Sequence, residues 1–421
     1  MSLPLMYRIR QEFTGPQLTD VEKATFQALC GLQLEKTLQS GETVAITVGS
    51  RGIAHIVEIT RGIVNAVRKA GGIPFIVPAM GSHGGATAAG QVALLAGLGV
   101  TMESVGAEIR SSMETVIVAT TPQGIPVHFD RNAFEAQHVI IAGRIKPHTM
   151  FTGEIESGLH KMMLIGLGKQ VGAQIYHRAI TNYSFETIVQ SVAEEVLQRC
   201  HILAGVAILE NARDETALIA AVHPAEFLTR EKELLKLAQD WLPRLPFHTA
   251  DLLIVDRIGK NISGSGMDTN VIGRKYNDHV AMPGDQANCK RIFVRCLTPE
   301  TNGNALGIGL AEFTTQHAVD QINAEYTRIN CITSGHPTAG MIPLIYPTDR
   351  AAIEDALQTI GLTEPADARV IQISDTLHLS EVLVSDAYQK SGELQMEQVV
   401  SGPAPLSFDA AGRLQDVSYQ E

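Results

Sequence analysis

The chain has 421 residues, of which 45% are hydrophobic and 19% are charged, and its net charge is −12. These values predict a soluble globular protein of two or three domains, and no apolar run approaches the roughly 20 residues of a membrane helix. The negative charge and the 5% aromatic content argue against nucleic acid as a partner. Five scattered cysteines and the lack of a signal-peptide pattern predict a reduced, cytoplasmic protein.

The first third of the chain predicts strands that alternate with helices. After a helical patch at residues 21–32, short apolar runs predict strands at residues 44–48, 73–79, 115–120 and 138–145. One apolar helix face is predicted by Ile56, Ile59, Ile63, Val64 and Val67. Gly71 and Gly72 are expected to end this helix. Thr87 is suited to cap another helix that runs toward residue 98.

The remainder of the chain repeats this alternation. A helix is predicted at residues 184–197, and the proline-containing segment 240–246 reads as a junction. Beyond it, strands are predicted at residues 251–256, 291–297, 341–346 and 369–374, and helices at 350–360 and 377–389. The pattern predicts two α/β domains, residues 1–240 and 241–421, with mostly parallel sheets and an active-site cleft between the domains.

Three loops of the first domain leave the ends of predicted strands, at residues 49–52, 81–85 and 146–149. In open α/β sheets the ligand crevice lies beyond the carboxyl ends of the strands. The loops should therefore meet, with Arg51, His83 and His148 facing one cleft. Imidazoles exchange protons near neutral pH, and two of them on opposite faces of a bound carbon suit an enzyme that inverts a stereocentre.

Lys161 and His177 lie sixteen residues apart, with Gly166, Gly168 and Gly172 between them. One interpretation is a surface lysine and an ordinary helix histidine. The other is an amine that bonds covalently to a cofactor and an imidazole that binds its metal, with the glycines letting the backbone approach the ligand.

Two further loops could bind anions. Gly49, Ser50 and Arg51 could hold a phosphate or carboxylate. In the second domain, a glycine-rich loop at residues 263–270 precedes two cations that suit an anionic substrate. The candidate substrate residues of this region are Asp268, Asn270, Arg274 and Lys275. A turn with solvated charges is the alternative.

The order and spacing of these residues resemble the nickel-dependent lactate racemase family. That family has an arginine after an early strand, matched by Arg51, and a first catalytic histidine one βαβ unit later, matched by His83. Its second catalytic histidine follows a proline, as His148 does. Its cofactor-bound lysine and nickel-ligating histidine are matched by Lys161 and His177.

The resemblance implies a racemase or epimerase of 2-hydroxy acids that uses a nickel-pincer nucleotide bound covalently through Lys161. His177 would ligate nickel, and His83 and His148 would form the acid–base pair. Gly49, Ser50 and Arg51 would lie near the nucleotide phosphate or the substrate. Cofactor-synthesis proteins are implied as partners. The oligomeric state stays open.

The substrate residues depart from the family's pattern. Val48 replaces an aspartate three residues before the arginine, and the family's substrate-binding glutamine falls on Gly273. A 2-hydroxy acid other than lactate is therefore predicted. Two alternatives remain. One is a divalent-metal hydrolase or lyase that uses the cluster His148, Glu154, Glu156 and His177. The other is a protein that binds the hydroxy acid or the cofactor without catalysis.

Overall fold

The structure is a computed structural model that describes residues 2–13 and 15–417. The chain divides into two compact units. The N-terminal unit comprises residues 15–242, and the C-terminal unit comprises residues 2–13 and 243–417. The predicted boundary after residue 240 lies close to the observed one, but residues 2–13 belong to the C-terminal unit because their strand pairs there. No helix of the described residues is long and apolar enough to cross a membrane.

The described residues form three sheets. The strands are β1 Leu5–Arg10, β2 Thr43–Val48, β3 Ile73–Pro78, β4 Glu108–Ile109, β5 Thr115–Thr120, β6 Pro126–Asp130, β7 His138–Arg144, β8 Ile202–Glu210, β9 Thr216–Val222, β10 Thr249–Ile258, β11 Asn288–Leu297, β12 Phe313–Thr315, β13 Leu344–Tyr346, β14 Val370–Ile373, β15 Glu381–Ser385 and β16 Val399–Pro405.

Helices connect most of these strands. They are α1 Val21–Gly31, α2 Ile56–Lys69, α3 Ala88–Gly97, α4 Met102–Val105, α5 Arg131–Glu135, α6 Leu159–Lys161, α7 Lys169–Ala179, α8 Phe185–Arg199, α9 Phe227–Asp240, α10 Thr269–Ile272, α11 Gln316–Asp320, α12 Ala324–Ser334, α13 Asp349–Leu357 and α14 Ala387–Lys390. A π-helical turn, Met162–Gly166, joins α6 to the segment that leads into α7.

The N-terminal unit is built on a six-stranded sheet of order β4-β3-β2-β7-β8-β9. All neighbours pair in parallel except β8 and β9. Ala45 of β2 packs into one hydrophobic cluster, whereas Val44 and Ile46 pack into another. Both faces of this sheet are therefore covered, which is typical of parallel sheets and explains why the strands read as short continuous apolar runs.

The helix predictions of this unit are confirmed. Ile59, Ile63 and Val67 of α2 are buried, and each buried side chain of this size contributes roughly 1.5–3 kcal/mol. The Thr87 hydroxyl accepts a hydrogen bond from the backbone N–H of Gly90 at the start of α3, so the predicted cap is present. The predicted strand 115–120 forms, but it pairs with β6 in a separate two-stranded sheet.

The C-terminal unit contains an eight-stranded sheet of order β13-β12-β11-β10-β14-β15-β1-β16. The strands from β13 to β14 are parallel, and the remaining pairs are antiparallel. The mostly parallel α/β class predicted from the sequence is confirmed. Of the predicted strand at 341–346, only Leu344–Tyr346 forms, at the edge of the sheet.

The predicted helix at residues 377–389 is wrong. These residues form β15 and the beginning of α14, and β15 lies between β14 and β1. The Glu381 carboxylate receives a hydrogen bond from Arg8 at 3.3 Å and pairs with Arg10 of β1 at 2.5 Å. These partners are more than 370 residues away in the chain, so a local periodicity cannot reveal them.

Candidate functional site

The loops that follow β2, β3 and β7 leave the same edge of the N-terminal sheet, because β2 pairs in parallel with both other strands. The Ser50 hydroxyl of the first loop is hydrogen-bonded to Nδ1 of His83 in the second. A Cβ atom added to Gly49 would lie 3.5 Å from the side chain of Met162, which directly follows Lys161. The loop after β2 therefore contacts both neighbouring segments.

The other candidate site residues are grouped around the side chain of Phe151. Its buried ring stacks on that of His148, with 4.2 Å between centroids, and on Phe185 at 4.1 Å. The His177 ring lies 6.3 Å away and Nζ of Lys161 lies 5.8 Å from the same centroid. Contacts between the aromatic rings favour the positions of the two histidines. The structure thus brings His148, Lys161 and His177 together around one aromatic side chain.

Sequence reasoning missed Phe151. The available signal was its position three residues after His148, in the same strand-end loop. An aromatic ring at such a place can support a neighbouring imidazole by stacking, but the sequence does not reveal that the lysine and the second histidine pack on the same ring.

The His148 ring is held in one orientation. Its Nδ1 accepts hydrogen bonds from the backbone N–H groups of Met150, at 3.0 Å, and Phe151, at 3.1 Å. Its own backbone N–H donates to Oε2 of the buried Glu156 at 2.8 Å. A backbone N–H can only donate, so Nδ1 is the unprotonated nitrogen and the neutral ring carries its proton on Nε2.

Lys161 and His177 lie in an environment that favours their neutral forms. Burial, and secondly the positive charge of Arg51, lowers the pKa of Lys161 to about 7. Burial, and secondly the charge of Lys161, lowers the pKa of His177 below its usual value. Near neutral pH the site therefore contains a nucleophilic amine and an imidazole whose lone pair can bind a metal.

We expect the reactivity of Lys161 to rise with a midpoint near pH 7, since the amine is protonated below its pKa and neutral above it. Arg51→Met should move this midpoint upward by removing a repelling charge. Brief acylation at several pH values, followed by peptide mass spectrometry, measures the profile, with the exposed Lys23 as internal reference. A Lys161 midpoint in the ordinary range of a lysine side chain would contradict this expectation.

The glycines between the predicted cofactor lysine and nickel histidine are closely packed against other parts of the protein. A Cβ atom on Gly166 would lie 2.9 Å from the carbonyl oxygen of Ala79, just beyond β3. One on Gly168 would lie 2.2 Å from a carbonyl of its own helical segment, and one on Gly172 would meet the Tyr176 ring at 3.3 Å. Close packing within the protein therefore explains these glycines, and the approach of a ligand to their backbone stays a prediction.

The two glutamates of the alternative metal cluster have protein partners. Glu154 forms an ion pair with Lys232, and Glu156 receives the backbone N–H of His148. Among the described residues, no group of three or more histidine, cysteine, aspartate or glutamate side chains is arranged to hold a metal ion.

The candidate substrate residues of the C-terminal unit have different environments. Asp268 caps α10 and accepts hydrogen bonds from the backbone and side-chain nitrogens of Asn270 at 3.0 and 2.8 Å. Arg274 is fully buried and donates to the carbonyl oxygen of Cys289 at 2.7 Å. Arg274 as a substrate ligand is therefore a wrong prediction. Lys275 is only half-buried, so it is the better candidate of the two cations.

Residues 11–187 match the family described as the lactate racemase N-terminal domain. This part of the chain is therefore identified as a lactate racemase N-terminal domain. The resemblance drawn from the sequence is thereby confirmed. The matched range contains Arg51, His83, His148, Lys161 and His177, so every residue proposed for the cofactor and for proton transfer lies within the recognised part.

Two solved structures were compared with this chain, and one of them, with a TM-score of 0.50, shares its fold. The lactate racemase apoprotein from Thermoanaerobacterium thermosaccharolyticum is 15% identical with a TM-score of 0.50, and the match covers 87% of this chain and 94% of that one. A structural-genomics protein from Thermotoga maritima is 14% identical with a TM-score of 0.48, over 68% and 72% of the respective chains. No curated protein sequence shows significant similarity.

Proposed function

We propose that this chain is a racemase or epimerase of a 2-hydroxy acid, and that it works with a nickel-pincer nucleotide attached covalently to Lys161. The observation that carries the proposal is the grouping of Lys161, His148 and His177 around Phe151. This group lies beside the strand-end loops that place Ser50 on the ring of His83.

The residues present fit the proposed cofactor. Lys161 has a lowered pKa and therefore supplies a neutral amine near pH 7, which covalent attachment needs. His177, with its lowered pKa, is a neutral imidazole suited to ligate nickel. When bound, the cofactor supplies a reversible acceptor for the hydride on C2 of the substrate.

Arg51 is suited to bind an anion at the same edge of the sheet. Its pKa is lowered by desolvation and by the charge of Arg144, which itself pairs with Glu210. A guanidinium grips phosphate or carboxylate through paired hydrogen bonds. The backbone of Gly49 and Ser50 could assist. Arg51 would then hold the nucleotide phosphate or the substrate carboxylate.

His83 and His148 are the proposed proton-transfer groups. Nε2 of neutral His148 carries a proton because Nδ1 is occupied by two backbone donors, so this ring presents a donor to the substrate oxygen. The Ser50 hydroxyl can either donate to or accept from Nδ1 of His83. His83 can therefore adopt the tautomer whose Nε2 accepts the proton of a substrate hydroxyl.

A substrate other than lactate is supported by the loop of Gly273, at which the family's substrate-binding glutamine falls. Gly273 has φ = +68°, and a Cβ atom there would lie 1.9 Å from the carbonyl oxygen of Ala287. A glutamine cannot occupy this backbone without a rearrangement. We propose that this substrate is recognised by Asp268, Asn270 and Lys275.

The proposal is tested on protein isolated from cells that make the cofactor. Intact mass and peptide analysis should reveal an adduct on Lys161 together with stoichiometric nickel. Single enantiomers of a panel of 2-hydroxy acids, incubated in heavy water, should lose optical activity while hydrogen at C2 is retained, since hydride does not exchange with solvent.

Three outcomes would contradict the proposal. An unmodified Lys161 beside a bare metal ion would favour the hydrolase or lyase alternative. Optical activity that persists across the whole panel, in protein shown to carry the adduct, would exclude racemisation of these acids and favour a binding role. Deuterium at C2 would indicate proton abstraction in place of hydride transfer.

A further inference from the structure

Lys169 is a lysine with no exposed surface inside the N-terminal unit. Its Nζ lies 2.6 Å from the carbonyl oxygen of Pro78, 3.1 Å from Oε1 of Gln91 and 2.9 Å from Oδ2 of Asp130. The ammonium donates hydrogen bonds to the Pro78 and Gln91 oxygens, and its contact with Asp130 is an ion pair. Apolar residues often replace a buried ion pair without loss of stability, so this arrangement indicates a role beyond packing.

Gln91 extends this network to the loop of the proposed catalytic histidine. Its side chain is buried, and while Oε1 receives the ammonium of Lys169, Nε2 donates to the carbonyl oxygens of Gly81 at 3.1 Å and His83 at 3.4 Å. Pro78, the last residue of β3, is held by the same ammonium. Lys169 and Gln91 thus bind the backbone on both sides of the turn that carries His83.

Lys169 also belongs to the segment that carries the cofactor residues. It stands midway between Lys161 and His177 and begins α7. Its backbone has φ = +55°, a left-handed conformation that is unfavourable for a residue with a side chain. The ammonium contacts hold this conformation in place. One residue therefore joins the cofactor-binding segment to the His83 loop.

We propose that Lys169 and Gln91 are positioning residues that fix the backbone of His83 relative to the segment of Lys161 and His177. The catalytic consequence rests on the proposed function, whereas the coupling of the Lys169 network to the His83 ring does not. The network touches the loop through the main-chain carbonyls of Pro78, Gly81 and His83, so it sets where the imidazole lies without contacting substrate.

The first test measures the imidazole directly. Protein with ¹⁵N-labelled histidine is compared before and after Gln91→Met, which removes all three amide contacts at nearly constant volume. The His83 resonances are assigned through His83→Gln. We expect the ring signals of His83 and their pH dependence to shift. Thr25→Val is the matched control, because it deletes a buried hydrogen bond confined to α1, and it should leave them unchanged.

The second test uses turnover of the cofactor-loaded protein. Gln91→Met should lower kcat about 10- to 100-fold, as loss of an orienting partner does elsewhere, with KM nearly constant and the Lys161 adduct intact. In a protein that already carries His83→Gln, the substitution Gln91→Met should not lower kcat any further. If Gln91→Met does not fold, the pair Lys169→Met with Asp130→Asn replaces it and leaves no unpaired charge.

Folded variants that keep both the His83 signals and kcat would overturn the inference. The inference would also be overturned if Gln91→Met lowered kcat in the His83→Gln protein as much as in the wild type, since that result would indicate general structural damage. If the wild-type protein racemises nothing, the proposed function fails, and the resonance comparison alone then decides whether the network positions His83.

Discussion

Replacing Lys161 with methionine is expected to abolish cofactor attachment and to lower racemisation by on the order of 10³-fold or more. Methionine has a similar length and is apolar, so it fills the half-buried space beside Phe151 without a charge to desolvate. The change removes the amine and little else. Intact mass, nickel content and the rate of loss of optical activity are measured together on protein prepared with the cofactor-synthesis proteins.

Lys232→Met is the matched control for this experiment. Lys232 lies in the same unit and pairs with Glu154, a member of the alternative metal cluster. Under the proposed function, Lys232→Met keeps the adduct and the activity. A Lys161→Met protein that racemises at the wild-type rate would refute covalent attachment through this residue.

Loss of either proposed acid–base histidine should lower racemisation by about 10²- to 10⁴-fold. We expect His83→Gln and His148→Gln to differ in a single turnover. His148 carries its proton on Nε2 in the neutral ring, whereas His83 can present an unprotonated Nε2 when Nδ1 donates to the Ser50 hydroxyl. With these tautomers only His83 can accept the hydroxyl proton, so His148→Gln should still oxidise one enantiomer to the keto acid, whereas His83→Gln should form keto acid from neither.

The keto acid is measured by trapping it with a hydrazine after one turnover, starting from each enantiomer separately. His223→Gln is the matched control, because Nδ1 of this exposed histidine also accepts a backbone N–H, from Ala225 at 3.3 Å. This control should behave as wild type with both enantiomers. Equal keto acid from both enantiomers in both histidine variants would contradict the two-histidine assignment.

The secondary structure near the site was predictable because it depends on neighbouring residues. The apolar spacing of α2, the cap at Thr87 and the buried run of β2 are all local. The convergence of the loops after β2, β3 and β7 followed from parallel pairing. The strand β15 was not predictable, because its partner β1 lies at the other end of the chain.

The sequence by itself determined the α/β class, the order of the strand-end loops and the reactive residues that they carry, because spacing and residue chemistry are local properties. Only the tertiary structure decided that Phe151 supports three of those residues, that Arg274 is buried and that Lys169 binds the His83 loop through Gln91. Burial and hydrogen-bond partners arise from residues distant in the chain, and packing alone brings them within contact.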